Sequence, residues 1–136
     1  MPEAWTLVSG EAEGEVLTLD EPLSFWGGLD PATGRIVDVH HPQRGEQVTD
    51  KVLVMPSGRG SSSSSSVLAE AIRAGTAPAA IVLREPDPIL ALGAIVAREL
   101  YGRAMPVAVA DALPGSGARV SVSASAAGAR IERLSP

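Results

Sequence analysis

A loop rich in glycine and serine holds the residues of this sequence that are best suited to chemistry. It reads PSGRGSS over residues 56–62, and serines continue from position 61 to position 66. Glycine at positions 58 and 60 allows the backbone to approach a ligand closely and to adopt positive φ. Where such a loop opens a helix, unpaired N–H groups and the helix dipole favour an anion. The pattern therefore indicates a site for a carboxylate or phosphate, with three candidate ligands: Arg59, Gly60 and Ser62.

The serine run itself has two interpretations. Six consecutive serines are low-complexity sequence, which is typical of a flexible linker. This run, however, lies between a predicted buried strand and a predicted helix, where ligands collect in α/β folds. A P-loop is excluded because no lysine follows the glycine, and a Gly-x-Ser-x-Gly elbow is absent. Anion binding, or an activated serine that accepts a proton, remains.

The elements that must position this loop form a predicted α/β crossover. Helical spacing of apolar residues predicts a helix over residues 67–73 that stops at Gly75, and a second helix over residues 88–97 begins with proline. Three continuous apolar runs predict strands that are covered on both faces, at residues 51–55, 79–83 and 106–110. A strand–helix–strand order gives parallel strands and a right-handed crossover.

The two ends of the chain are predicted to be β-structure. Short or alternating patterns predict strands at residues 5–8, 14–19 and 35–39, and a closing hairpin from residues 119–123 and 129–134. We expect these parts to pack beside the crossover in a three-layer arrangement. Neither a repeat nor a long linker divides the chain, so residues 1–136 are predicted to be one domain.

The composition excludes several classes of protein. Hydrophobic residues make up 45% of the chain and aromatic residues 3%, so the core must be aliphatic. A formal net charge of -5 argues against a nucleic-acid-binding protein. No apolar window is long enough to span a membrane, and no signal peptide is visible. We therefore expect a soluble cytoplasmic protein.

Metal binding by this chain is not expected. The sequence has no cysteine, which rules out a thiolate zinc site or a cysteine-bound iron–sulfur cluster within it. His40 and His41 are adjacent, so on a strand they would point to opposite faces. We interpret both histidines as solvated turn residues.

A second glycine-rich loop, FWGGLD at residues 25–30, has two open interpretations. It is either a structural turn with a packed aromatic residue or a loop that lines the site, with Gly27 and Gly28 as candidate substrate ligands. Asp30 precedes a proline and is predicted to form a turn. The other polar and aromatic residues have ordinary interpretations: Tyr101 as packing, Glu70 and Arg73 as a surface ion pair, and Arg35 and Arg44 as surface arginines that could also meet an anionic substrate.

The chain resembles the swivel domain of aconitase-like hydro-lyases, and more narrowly the short swivel subunit of the aconitase-X group. The resemblance covers nearly the whole chain, and its motifs keep the same order at residues 10–17, 24–36, 41–42, 51–61, 77–81 and 93–97. It implies an α/β fold, the swivelling β/β/α domain that forms the C-terminal (swivel) domain of aconitase.

The resemblance also implies a division of labour. Such subunits pair with a larger subunit that carries an iron–sulfur cluster, and the pair dehydrates a hydroxy acid such as cis-3-hydroxy-L-proline or mevalonate 5-phosphate. The family's proton-abstracting serine corresponds to Ser61. Aconitase has a carboxylate-binding arginine where this chain has Ser63, and Arg59 is the candidate substitute. Because a serine hydroxyl is a poor base, its alkoxide must be stabilised by nearby donors.

Two other functions remain open at this stage. The first is a standalone swivel module that binds a small anion without a catalytic partner. The second is a purely structural or regulatory domain with a flexible serine loop. We expect the isolated chain to be inactive as an enzyme, because both the cluster and most substrate ligands would belong to the larger subunit.

Overall fold

The computed structural model describes residues 4–112 and 115–134, and the centre of this part is a curled seven-stranded sheet. The strand order across the sheet is β1-β7-β6-β5-β2-β8-β9. The edge strands β1 and β9 lie against each other, so the sheet is nearly closed. The elements in chain order are β1 (Ala4–Val8), β2 (Gly10–Thr18), α1 (Phe25–Gly28), β3 (Leu29–Asp30), β4 (Arg35–Ile36), β5 (Val52–Met55), α2 (Ser64–Ala74), β6 (Ala80–Leu83), α3 (Pro88–Tyr101), β7 (Val107–Ala110), β8 (Arg119–Ser125) and β9 (Gly128–Arg133).

The parallel crossover predicted from the apolar runs is confirmed. Strands β2, β5, β6 and β7 run parallel to one another, and β5 pairs with β6 from Val52 opposite Ala80 to Met55 opposite Leu83. All four residues of β6 are buried, as are those of β7. Because both faces of these strands are covered, their sequences are continuously apolar rather than alternating.

The sheet separates two hydrophobic cores, which explains the layered architecture. Helices α2 and α3 cover one face, where Leu53, Leu68 and Leu90 belong to the same cluster. The inside of the curled sheet holds a second cluster that includes Val16, Val52 and Val120. Each such fully buried aliphatic side chain contributes about 1.5–3 kcal/mol. The curled sheet supplies two β layers and the helices supply the third, so the predicted α/β fold with a β/β/α arrangement is confirmed.

Several elements differ in extent from the prediction. Helix α2 begins at Ser64 rather than at residue 67. Its first turn is polar, and a prediction based on the spacing of apolar residues does not detect such a turn. Helix α3 continues to Tyr101 and ends at Gly102, which has a φ of 67°. The strand predicted over residues 35–39 is confined to β4, because its antiparallel partner β3 has only two residues and follows α1 directly. The closing hairpin of β8 and β9 is confirmed.

A glycine in α3 brings the two helices close together at the start of α2. A Cβ atom at Gly93 would lie 2.7 Å from the carbonyl oxygen of Ser65 and 3.2 Å from Cβ of Leu68. Real Cβ atoms essentially never lie this close to a carbonyl oxygen, so only glycine permits the two helices to approach in this way. The packing of α3 therefore fixes where the first turn of α2 lies, and with it the loop that precedes α2.

The predicted surface pair on α2 is confirmed. Arg73 donates two hydrogen bonds to the carboxylate of Glu70, at 2.8 and 2.6 Å. The hydrogen bond from Arg73 lowers the pKa of Glu70 below its usual value. Both side chains are about half exposed, so the pair belongs to the solvated face of the helix.

Candidate functional site

Two loops meet at the carboxyl end of neighbouring parallel strands and enclose a cleft. The serine loop, residues 56–63, follows β5, and the acidic loop, residues 84–87, follows β6. The N–H groups of Arg84 and Glu85 both donate to the carbonyl of Pro56, at 3.2 and 3.1 Å, and so tie the two loops together. The cleft has a volume of ≈ 340 Å³ and is lined by Leu23, residues 57–61, Ser64 and residues 85–90. This is where ligands are found in open α/β sheets.

The two glycines of the serine loop are required by close approach within the chain itself. Gly60 has a φ of 94°, and a Cβ atom there would lie 2.6 Å from Oγ of Ser24. A Cβ atom at Gly58 would overlap the carboxylate of Asp87. The groups that approach these glycines belong to this chain, so the predicted approach of a ligand at Gly58 and Gly60 stays a prediction.

Ser61 lies in the cleft wall at the point where the loop turns into α2. Its side chain is half-buried, and its Oγ accepts a hydrogen bond of 3.0 Å from the N–H of Ser63. Its carbonyl accepts another of 3.0 Å from the N–H of Ser64, the first residue of the helix. A fixed backbone donor and a nearby helix N-terminus both stabilise negative charge on an oxygen at this position. The geometry is therefore compatible with a serine that holds or releases a proton.

The remaining serines have different environments, and half of the run belongs to a helix. Ser64, Ser65 and Ser66 form the first turn of α2. Ser63 is the N-cap residue, but its backbone is already helical and its side chain caps no N–H group of the described chain. Ser62 is exposed and does not line the cleft, so its predicted role as a substrate ligand has no support from cleft geometry and stays a prediction.

The FWGGLD loop has the first of its two sequence interpretations, a structural turn with a packed aromatic residue, while a role in lining the site stays a prediction. Trp26 (φ -72°, ψ 115°) and Gly27 (φ 80°, ψ -13°) have the dihedral angles of a type II turn, which requires glycine at the second position. Phe25 is fully buried, whereas Trp26 is 58% exposed. The N–H of Trp26 donates to Oγ of Ser64 at 3.1 Å, which joins this turn to the cleft wall. Gly27 and Gly28 do not themselves line the cleft, so their substrate contacts stay predictions.

Sequence reasoning missed the acidic loop, although a signal was present. Glu85 and Asp87 line the cleft together with Arg59. Oδ1 of Asp87 accepts hydrogen bonds from the N–H groups of Ile89 and Leu90, at 2.8 and 3.2 Å, and so caps α3. The sequence places two acids within four residues of the end of a buried parallel strand, and the rule that ligands collect at such strand ends would have singled them out.

The other residues considered from the sequence lie away from the cleft lining. Oδ1 of Asp30 accepts from the N–H of Ala32 at 2.9 Å, which confirms it as a turn former. Arg35 donates to the carbonyl of Gly45 at 3.0 Å, while Arg44 is exposed. Tyr101, in the last turn of α3, is 41% exposed, so one face of it is open to solvent and the packing role predicted for it stays a prediction.

The two histidines differ from each other. His40 is exposed, as predicted. His41 is only 5% exposed, so its interpretation as a solvated residue is wrong. Its Nδ1 accepts from the N–H of Gln43 at 3.0 Å, and therefore Nε2 carries the hydrogen and donates to the carbonyl of Glu21 at 3.1 Å. Both ring nitrogens are used in holding the turn, which leaves neither for a ligand.

The donor set of this chain does not fit a metal cluster. The sequence has no cysteine. Within residues 4–112 and 115–134, no group of three His, Asp or Glu side chains is placed to hold a metal ion.

In the part of the chain that the structure describes, no helix is both long and apolar enough to cross a membrane.

The fold and the cleft define a class: a layered β/β/α domain with a strand–loop–helix cleft at the carboxyl end of its parallel strands. The sequence profile of the aconitase X swivel domain matches residues 3–129. The chain belongs to the aconitase X swivel domain family, and the resemblance seen in its motifs is thereby confirmed.

Solved structures agree with this assignment. The holo-form of aconitase X from Thermococcus kodakaraensis superposes with a TM-score of 0.87 at 35% identity, and the match covers 98% of each chain. A UPF0107 protein whose structure was determined by solution NMR superposes with a TM-score of 0.82 at 32% identity, again over 98% of each chain. A chain of this fold and this extent is therefore folded in solution.

The curated relatives are dehydratases. The chain is 57% identical over 103 residues to cis-3-hydroxy-L-proline dehydratase of Pseudomonas aeruginosa, a match that covers 76% of this chain and 18% of that enzyme. It is 48% identical over 88 residues to the phosphomevalonate dehydratase small subunit of Methanothermobacter thermautotrophicus, covering 65% of this chain and 67% of that subunit. The chain thus spans less than a fifth of the length of the hydroxyproline dehydratases that it matches.

Proposed function

We propose that this chain is the swivel component of an aconitase X-type hydro-lyase and that Ser61 accepts the proton during dehydration of a hydroxy acid. The observation that carries the proposal is the position of Ser61. Its hydroxyl lies in the wall of a ≈ 340 Å³ cleft, beside a helix N-terminus, with a backbone N–H already donated to its oxygen at 3.0 Å.

The chemistry assigned to this chain is the removal of one proton. Deprotonated Ser61 takes a proton from the substrate carbon, and the electron pair of that C–H bond becomes the new C=C bond as hydroxide leaves the adjacent carbon. The N–H of Ser63 stabilises the serine oxygen while it is negatively charged. Arg59, which lines the cleft, is the candidate that binds the substrate carboxylate in place of the arginine found in aconitase.

The remaining parts of the reaction belong to a larger polypeptide. This chain lacks cysteine and cannot provide the thiolates of an iron–sulfur cluster, so the cluster and the departure of hydroxide are assigned to the partner. The hydroxyproline dehydratases are more than five times longer than the segment that matches this chain, which supports a substantial remainder of the enzyme. We expect the chain to be inactive without that partner.

The substrate is proposed to be cis-3-hydroxy-L-proline or a related hydroxy acid. The identity of 57% to a cis-3-hydroxy-L-proline dehydratase supports this choice. Phosphomevalonate dehydratase is the alternative, because its small subunits match as separate chains over about two thirds of their own length. A module that binds an anion without catalysis is the remaining candidate.

A reconstitution assay distinguishes these functions. The chain is co-expressed with the large aconitase X polypeptide of its source, purified anaerobically, and tested against cis-3-hydroxy-L-proline, mevalonate 5-phosphate and other hydroxy acids. We expect dehydration of cis-3-hydroxy-L-proline only when both polypeptides are present. Dehydration of mevalonate 5-phosphate instead would select the alternative. Failure of the two polypeptides to associate would favour a module without catalysis.

A further inference from the structure

Ser64 is a second serine of the run with a distinctive position, and the proposed reaction gives it no role. Ser64 is only 3% exposed, and among the described residues it and His41 are the buried polar side chains. It is the first residue of α2 and lines the same cleft as Ser61. A hydroxyl buried at this level is costly unless it is hydrogen-bonded, so its partners indicate why serine is present.

The partners of Ser64 lie on two different segments. Its Oγ accepts a hydrogen bond of 3.1 Å from the N–H of Trp26, and its own N–H donates to the carbonyl of Ser61 at 3.0 Å. Ser64 is therefore bonded directly both to the residue proposed as the base and to the bracing segment, which we define as residues 23–26.

The bracing segment runs along the serine loop, contacts it at two points and contacts the first residue of α2 at a third. Leu23 forms a parallel bridge with Gly58 at one end. Ser24 packs against Gly60 in the middle, where a Cβ atom would come within 2.6 Å of the Ser24 hydroxyl oxygen. The bond from Trp26 to Ser64 closes the other end. Ser61 lies between the second and third contacts, so its position depends on both.

We propose that Ser64 is a positioning residue whose hydroxyl fastens the bracing segment to the first turn of α2 and thereby sets the position of the Ser61 hydroxyl in the cleft. The Ser24 hydroxyl supports the same arrangement, because it donates to the carbonyl of Trp26 at 3.0 Å and holds the segment in its bent form. This inference rests on the proposed function only for its catalytic consequence, since the positioning itself is a property of this chain.

The test compares Ser64→Ala with Ser64→Thr, which keeps a hydroxyl, and with Ser66→Ala, which removes an exposed serine two residues further along α2. The first measurement is NMR of the full chain in solution, which the NMR structure of a 32% identical chain shows to be practicable. The reporter is the nuclear Overhauser effect between the Ser24 β protons and the Gly60 α protons, four residues away from the substitution. We expect it to be lost in Ser64→Ala and kept in the other two variants.

The second measurement is the kinetics of the reconstituted enzyme. Misplacement of a catalytic group lowers kcat, and we expect a loss of roughly 10- to 100-fold in Ser64→Ala with KM little changed. Ser64→Thr should recover most of this loss, and Ser66→Ala should have normal kinetics. Thermal unfolding of all three variants controls for a general loss of stability.

The outcomes separate this inference from the proposed function. If Ser64→Ala keeps the Ser24–Gly60 effect, Ser64 does not position the loop, whatever happens to the kinetics. If the effect is lost while kcat stays normal, Ser64 is structural only and the inference is overturned. If the wild-type pair has no dehydratase activity, the proposed function fails, while the NMR comparison still decides whether Ser64 fastens the loop.

Discussion

At the scale of residues, the six consecutive serines have different surroundings. Ser61 lies in the cleft wall with a backbone donor on its oxygen, whereas Ser62 and Ser63 are exposed beside it. Ser64 is buried and bonded to Trp26. Oγ of Ser65 donates to the carbonyl of Ser62 at 2.9 Å, within the first turn of α2. Composition cannot distinguish these residues, and only their position relative to the strand end and the helix does so.

The glycine next to Ser61 gives a prediction at this scale. Gly60 and Gly45 share a φ of 94°, but a Cβ atom at Gly45 would meet nothing within 4 Å. Alanine at either position is strained by its backbone, which costs of order 1–3 kcal/mol. Only Gly60→Ala must also displace Ser24, so we expect it to lower the activity of the reconstituted enzyme by roughly 100-fold.

The comparison uses urea unfolding and steady-state kinetics of the two variants side by side. Gly45→Ala should lose stability but keep normal activity. Equal activity of Gly60→Ala and Gly45→Ala would show that the contact with Ser24 does not hold the catalytic loop.

At the scale of elements, two helices begin at the cleft and are started in different ways. Helix α3 is capped by a side chain, since Asp87 accepts from the N–H groups of Ile89 and Leu90. Helix α2 has a serine as its N-cap residue, but the hydroxyl of Ser63 caps no N–H group of the described chain. The oxygen that accepts from the N–H of Ser63 is instead Oγ of Ser61. Helix α2 therefore lacks a side-chain cap from Ser63, and the backbone of Ser63 is instead bonded to the side chain of Ser61, the proposed base.

The cap of α3 gives a prediction at the scale of elements. Replacing Asp87 by alanine removes the acceptor for two N–H groups, and we expect a loss of about 0.5–2 kcal/mol in the free energy of unfolding. Asparagine is an equally good N-cap, so Asp87→Asn should retain nearly all the stability. Urea denaturation of both variants measures the difference. Equal stability of Asp87→Ala and the wild type would mean that the cap contributes nothing.

The architecture could be predicted from the sequence because its signals are local. The apolar runs at β5, β6 and β7 and the stop at Gly75 are visible without tertiary information, and all of them are confirmed. Helix α2 begins three residues before its predicted start, because a polar first turn has no apolar period. Buried His41 was missed because its burial arises from a turn packed against Glu21, twenty residues away in the chain.

The candidate site was predictable only in part, for a related reason. The serine loop carries a recognisable pattern, but Asp87 and the bracing segment meet it through contacts between distant parts of the chain. The bridge of Leu23 to Gly58 and the bond of Trp26 to Ser64 each connect residues more than thirty positions apart. Contacts of this kind leave no periodic signal in a single sequence.

At the scale of the whole molecule, the domain presents a cleft that is open on one side. The exposed indole of Trp26 stands on the turn that is bonded to the cleft wall, and a second exposed tryptophan, Trp5, lies on the edge strand β1. Exposed aromatic residues are enriched at interfaces, where they supply much of the binding energy. The proposed function requires the larger polypeptide to approach the open side of the cleft.

The two tryptophans therefore give a prediction about assembly. Trp26→Ala should weaken association with the large polypeptide at least roughly tenfold, as expected for an aromatic residue at the centre of an interface. Trp5→Ala removes an equally large and similarly exposed side chain, 48% against 58%, and should leave association unchanged. Analytical ultracentrifugation of the mixed polypeptides measures both. A stronger effect of Trp5→Ala would place the partner at strand β1 instead of at the cleft.

The central claim is that Ser61 accepts the proton, and the kcat of a Ser61→Ala enzyme tests it most directly. General acid–base groups contribute about 10²–10⁴-fold, so we expect a kcat reduced by that factor in the reconstituted pair, with unchanged thermal unfolding. Ser66→Ala, which removes an exposed serine of the same run, should have the kcat of the wild type. A folded Ser61→Ala enzyme with the kcat of the wild type would contradict the account.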